Sequence, residues 1–227
     1  MRGFIPAAGL GKRLLPLTKD IPKPLVKVGA HPVISLVYKK LISAGVRSVG
    51  INFSHLALKG IDFARRELPP LLHIYRESTP IGAFGGVNNF IKNISPESLL
   101  VHNGDIFFDG EISGIIGKSD ITLVAVNNGR SDMILGDSGE LLEIGSAESG
   151  ETGLGYAGIV YFSSEAVNWL RGLYAANTYV SFIEDIVLPA KKHGFRVTGE
   201  VIPGFWSDIG THEELKKVQK YLLNIDN

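Results

Sequence analysis

Short apolar runs alternate with segments of helical spacing through the first half of the chain. Residues 2–6, RGFIP, form an apolar run that ends at a turn of small residues, which predicts a buried first strand. In HPVISLVYKKLISAG, Val33, Val37, Leu41 and Ala44 recur at helical spacing, with Pro32 in the first turn and Gly45 at the C-terminal cap. VRSVGIN then predicts a second strand. Strand, helix and strand in that order mark a parallel α/β sheet. The alternation continues with a helix over 56–68, a strand at LLHIYR, a helix from about Val87, and strands at SLLVHNGD and DITLVAV. MILGDSGELLEI predicts a hairpin that turns at Asp-Ser-Gly. GYAGIVYF reads as a strand, VSFIEDIVLPAKKHG as largely helical, FRVTGEVI as a strand and THEELKKVQKYLLNI as an amphipathic helix. The second half loses strict alternation, so the sheet is expected to be mixed. With no repeat, low-complexity tract or long linker in view, residues 1–227 are expected to form a single domain.

Composition narrows the function without naming it. Lys plus Arg equals Asp plus Glu, 23 each, so net charge points to no nucleic-acid partner, and a charged ligand would need a local site. No cysteine is present, which excludes disulfides, thiolate zinc sites and cysteine nucleophiles. The opening apolar run is interrupted by Pro6 and Lys12, so no signal peptide is expected. No run approaches the roughly 18 apolar residues of a membrane span. The expectation is a soluble cytoplasmic protein, with a homo-oligomer left open.

The candidate chemistry begins in IPAAGLGKRLLPLTKDIPKPL, residues 5–25. A small-residue turn after a strand lets backbone amides approach phosphates, although turns need glycine for purely structural reasons too. Two common phosphate motifs do not fit. A P-loop needs Ser or Thr after Gly-Lys, where Arg13 stands, and an earlier glycine, where Pro6 stands. The dinucleotide fingerprint needs a third glycine where Leu14 stands. The prolines add a second signal. Pro22 and Pro24 restrict Lys23 toward extended backbone, which preorganises a cation for a ligand.

The segment PAAGLGKRLLPLTKDIPKPLVKV, residues 6–28, resembles the N-terminal signature of the sugar-1-phosphate nucleotidyltransferases. That signature runs A-[AG]-G-x-G-x-R-x-x-P-L-T, then P-K-P and a hydrophobic pair. The resemblance extends from Phe4 to about Leu215 and is closest to short members of the mannose-1-phosphate guanylyltransferase and N-acetylmuramate-1-phosphate uridylyltransferase type. It implies a Rossmann-like three-layer sandwich with a mixed, mostly parallel central sheet. It also implies Mg²⁺-dependent formation of an NDP-sugar and pyrophosphate from an NTP and a sugar 1-phosphate. Ala7, Ala8, Gly9, Gly11 and Lys12 would wrap the nucleotide, with Gly82 of ESTPIGAFGG offering its backbone to the base. Arg13 and Lys23 would be the catalytic cations. Asp105 of LLVHNGDIFFD and Asp208 of GFWSDIGT match the family's two magnesium aspartates. Asn103, Tyr156 and Gly158 are the expected sugar neighbours.

This chain departs from the family in two places. Ala83 and Phe84 stand where Thr-Gly-Gly or Thr-Ala-Gly is common, and LLEIGSAESG lacks the Glu-Lys-Pro element that helps bind sugar in larger members. Glu143 is a candidate substitute, and Glu184 and Asp185 are expected near the pocket rim or on a solvated face. His55 and His102 are expected to serve the structure rather than the chemistry. Rival readings are a glycosyltransferase, whose Asp-x-Asp is lacking here, a cytidylyltransferase for another phosphorylated alcohol, and a non-catalytic nucleotide-sugar-binding regulatory subunit.

Overall fold

The computed structural model describes residues 1–69, 71–127, 132–145 and 153–225. In chain order its strands are β1 (Arg2–Pro6), β2 (Lys27–Val28), β3 (His31–Pro32), β4 (Val49–Phe53), β5 (Leu72–Arg76), β6 (Leu99–His102) and β7 (Ile106–Phe108). β8 (Ile121–Asn127), β9 (Met133–Leu135), β10 (Leu141–Ile144), β11 (Leu154–Phe162), β12 (Val197–Val201) and β13 (Trp206–Asp208) follow. The α-helices are α1 (Val33–Ser43), α2 (Ala57–Glu67), α3 (Ala83–Lys92), α4 (Ser164–Leu170), α5 (Leu188–His193) and α6 (His212–Ile225).

Seven strands form the central sheet in the order β12-β8-β11-β6-β1-β4-β5. Every neighbouring pair is parallel except the two made by β11, which runs against β6 and β8. The sheet is therefore mixed and mostly parallel, as expected. Its strands alternate between two cores. In β1, Ile5 joins a cluster with α1, α2 and α6, while Phe4 joins one with α3, α4 and α5. Helices thus cover both faces of the sheet in three layers, and β4 is buried at all five positions, as a central parallel strand requires. Val33, Val37, Leu41 and Ala44 all face the first core.

The structure changes several boundaries. The helix expected from about Val87 begins at Ala83, with Gly82 as its N-cap at φ +80°. A glycine reaches that conformation without steric cost, so the turn into α3 is tighter than the apolar spacing indicated. VSFIEDIVLPAKKHG is a π-helical turn, Ile183–Val187, running into α5. Neither α4 nor the β7–β13 ribbon was visible in the apolar pattern. Among the described residues, no helix is long and apolar enough to cross a membrane.

Candidate active site

The chain leaves β1 toward β4 and β5, then returns to place β6 on the other side of β1. Such a switch opens a crevice at the carboxyl ends of the strands, where open α/β sheets take their ligands. Here the loop after β1 meets the Asn103–Asp105 turn after β6. Gly104 N–H donates to the Pro6 carbonyl at 2.9 Å, and a Cβ on Gly104 would stand 2.8 Å from that oxygen. Only glycine permits this approach.

The small-residue loop folds back onto the proline segment. Gly11 has φ +65°, and its carbonyl accepts the Thr18 hydroxyl at 2.7 Å. A Cβ on Gly11 would meet Thr18 Cγ2 at 2.9 Å and Lys23 Cβ at 3.2 Å. Lys23 starts a 3₁₀ turn between Pro22 and Pro24 and is buried. Its Nζ lies 2.6 Å from Asp105 Oδ2 and 3.6 Å from Asp208 Oδ1. A buried ammonium needs such counter-charges. Arg13 approaches Asp208 Oδ2 at 3.9 Å with a side chain that is 68% exposed.

Asp208 reaches this place through the β7–β13 ribbon, in which it pairs with Ile106. Ile209 N–H donates to the Asp105 carbonyl at 2.8 Å, which locks the two aspartates side by side. Asp208 Oδ1 is buried and takes no hydrogen bond from any described residue. Two adjacent carboxylates, one with an unbonded buried oxygen, suit a hard divalent cation whose shell is completed by water and phosphate oxygens. Among the described residues, no third His, Asp or Glu completes an all-protein cage.

Two cavities flank this cluster, and Asn103 and Asp105 line both. One, of about 170 Å³, lies between Ala8–Gly9, Asn52 and Gly82–Ala83. The other, of about 260 Å³, is bounded by Tyr156, Gly158, Trp206, Asp208 and Asp132. Gly158 sits at φ +75° in a stretch where the β11–β8 register shifts, and its carbonyl accepts Asn103 N–H at 2.9 Å. A Cβ there would collide with Ile106 Cδ1 at 2.2 Å.

Of the expected residues, Ala8, Gly9 and Gly82 line the first chamber, Tyr156, Gly158 and Asp208 the second, and Asn103 and Asp105 both, while Ala7, Gly11, Arg13 and Lys23 line neither. Ala7 is held from behind, its N–H donating to Asn52 Oδ1 at 2.8 Å. Lys12 is exposed and lines neither chamber. Glu143 is exposed on β10 and also lines neither, so the described carboxylate beyond the aspartate pair is Asp132. Glu184 accepts the Ser181 hydroxyl and Asp185 accepts Ser181 N–H at 2.7 Å, which places both at the start of the π turn. His55 Nε2 lies 3.2 Å from the Thr18 carbonyl, and His102 Nδ1 lies 2.9 Å from the Asn103 carbonyl.

Sequence reasoning missed Asn52, Glu77 and Asp132. Asn52 Nδ2 donates to Glu77 Oε1 at 2.6 Å, and burial raises the Glu77 carboxyl above its ordinary value. The available signal was an asparagine closing the apolar run VGIN, where a polar group inside a buried strand needs a stated partner.

The sequence model of the family described as "Nucleotidyl transferase" matches residues 2–119. The bifunctional protein GlmU of Methanococcus aeolicus is 26% identical over 98% of this chain and 54% of its own. The chain spans about half the length of that relative and of its Methanocaldococcus jannaschii counterpart, 54% and 55%. The N-acetylmuramate alpha-1-phosphate uridylyltransferase of Neisseria meningitidis is 26% identical over 96% of this chain and 97% of its own. Among solved structures, HddC from Yersinia pseudotuberculosis superposes with a TM-score of 0.78 over 97% of this chain and 99% of its own, at 23% identity.

Proposed function

The chain belongs to the nucleotidyl transferase family, and we propose that it joins an NTP to a sugar 1-phosphate and releases pyrophosphate. The observation that carries this reading is Lys23 Nζ, 2.6 Å from Asp105, the aspartate that lines both cavities. A reaction between two anions needs positive charge where they meet, and an ammonium held against the aspartate common to both cavities can supply it.

The nucleotide occupies the cavity between Ala8–Gly9 and Gly82, with Ala7 to Arg13 wrapping its phosphates. The sugar phosphate enters from the chamber of Asn103, Tyr156 and Gly158. Its phosphate oxygen, already ionised at neutral pH, attacks the α-phosphorus in line and forms the new P–O bond. The bond to the β-phosphate oxygen breaks, and the pyrophosphate departs with that electron pair. Neither a protein nucleophile nor a general base is required. Lys23 lowers the repulsion between the phosphates, and Arg13, on the exposed side, steadies the leaving pyrophosphate. Asp105 and Asp208 would hold Mg²⁺, which supplies further charge neutralisation when bound. The binding partners of this single domain are thus an NTP, guanylyl or uridylyl by resemblance to the short members, and a sugar 1-phosphate.

Pyrophosphate release measured for five NTPs against a panel of sugar 1-phosphates with Mg²⁺ tests the reading. Turnover is expected with one base and a narrow set of sugars. Tight binding of a nucleotide-sugar with no turnover in any pair would replace it with a regulatory role.

A further inference from the structure

The segment from Gly11 to Lys23, which holds both cations of the proposed reaction, is tied to the rest of the molecule through its backbone. Thr18 is buried, and its hydroxyl donates to the Gly11 carbonyl at 2.7 Å. His55 Nε2 lies 3.2 Å from the Thr18 carbonyl, and Lys59 Nζ donates to the Asp20 carbonyl at 2.7 Å. Both of these outside ties fall beyond Pro16, toward Lys23. Arg13 is served by a different one. His212 Nε2 lies 2.9 Å from the carbonyl of Leu15. A carbonyl only accepts, so the ring holds its proton on Nε2 and donates it there. Leu14, between Arg13 and Leu15, is fully buried, and the chain beside Arg13 is thus pinned from two sides.

His212 is fixed by where it stands. It opens α6, whose Leu215 and Val218 are buried in the first core. Thr211 caps that helix, its hydroxyl accepting Glu214 N–H at 3.2 Å and its carbonyl accepting Leu215 N–H at 3.0 Å. The same turn meets Arg13 twice more. Asp208 Oδ2 lies 3.9 Å from Arg13 Nη2, and a Cβ on Gly210 would stand 2.6 Å from that nitrogen. Alternate residues from Asp208 to His212 therefore face the guanidinium, leave it room and hold the backbone behind it. The Arg13 side chain is itself largely exposed, so its place is set less by packing than by the backbone it springs from.

We propose that His212 is a positioning residue for the reaction: its hydrogen bond to Leu15 sets the backbone from which Arg13 reaches the leaving pyrophosphate. The proposal rests on the reading of Arg13 as the cation on the pyrophosphate side. The bond is exposed, so its loss should cost little stability. Its effect lies in placement, because a small displacement of a catalytic group lowers the rate steeply.

The test is a double-mutant cycle on the full chain, with Mg²⁺ and an NTP and sugar 1-phosphate pair that wild type turns over. His212→Ala should lower kcat about tenfold while leaving the sugar 1-phosphate KM and the thermal midpoint almost unchanged. His212→Gln keeps an N–H near the place of Nε2 and should recover most of that loss. In an Arg13→Ala background, His212→Ala should lower kcat by less than about twofold, because the group it places is already gone. An equal loss in that background would mean that His212 acts on something other than Arg13, and it overturns the inference. So does an unchanged kcat in His212→Ala, or a glutamine variant as impaired as the alanine one. Each of these leaves the enzyme assignment standing. No turnover by wild type with any pair overturns the assignment and the inference together.

Discussion

Lys23 and Arg13 carry the same charge in very different settings, and the difference decides what each contributes. Lys23 is fixed by a proline on each side and packed against Gly11, whose missing Cβ leaves room for it. Its head is a desolvated point charge between two carboxylates, where each ångström counts. Arg13 remains largely in water, where an ion pair at 3.9 Å contributes little on its own. Lys23 Nζ also stands beside both carboxylates proposed to hold a divalent cation. Replacing Lys23 by Met should therefore have two opposite effects. Turnover should fall by about a hundredfold or more, because positive charge is lost where the two phosphates are proposed to meet. Divalent cation binding, measured by calorimetry without nucleotide, should tighten by about tenfold, because a competing like charge has gone. Weaker metal binding in this variant would show that the aspartates do not form the cation site.

At the scale of elements, the site is held by side-chain ties between the ends of neighbouring parallel strands. Asn52, in β4, bonds Ala7 beyond β1 and Glu77 beyond β5, while Glu77 N–H donates to the Phe53 carbonyl at 2.8 Å. Helix α3 closes over this tie because Gly86 has no Cβ, which would otherwise stand 2.3 Å from Asn52 Nδ2. Asn52→Leu keeps the branching but adds bulk, and it strands the Ala7 amide and the Glu77 carboxylate. Each loss costs about 1–3 kcal/mol, so urea unfolding should show a destabilisation of about 2–6 kcal/mol. The NTP KM should rise with it, since the loop proposed to wrap the nucleotide phosphates starts at Ala7. An unchanged midpoint would mean that the tie is not structural. The same elements show what was legible in advance. The run RGFIP and the spacing of Val33, Val37 and Leu41 carried their periods openly, because long buried strands and amphipathic helices repeat a pattern. The β7–β13 ribbon has three residues per strand, too few for any period, and only tertiary pairing reveals it. Lys23, Asp105 and Asp208 stood in motifs that belong together. Asp132 did not, because a lone carboxylate before a hairpin says nothing of which cavity it will line.

For the whole molecule, the most buried titratable group in the sheet is His102, at the end of β6. Burial lowers its pKa from 6.5 to about 4, against a smaller opposing effect of the bond to Asn103. Its Nε2 is buried without a hydrogen-bond partner among the described residues, so protonation would place an unmatched donor and a charge in the core. The folded pKa lies below the unfolded one, and the unfolded chain therefore binds the proton first. Stability from this group is complete above pH 6.5 and is lost as pH falls toward about 4. The gap corresponds to about 3 kcal/mol. Glu77 acts in the opposite sense. Its raised carboxyl pKa favours the folded state more as pH falls through the acid range, so wild-type stability alone would blur the two. His102→Asn separates them, because Asn retains a donor near the position of Nδ1 and does not titrate. Denaturant unfolding at pH 7.5 and 4.5 should show wild type losing about 2–3 kcal/mol more than the variant. Equal losses in the two proteins would mean that His102 is already charged, or already hydrated, in the folded state.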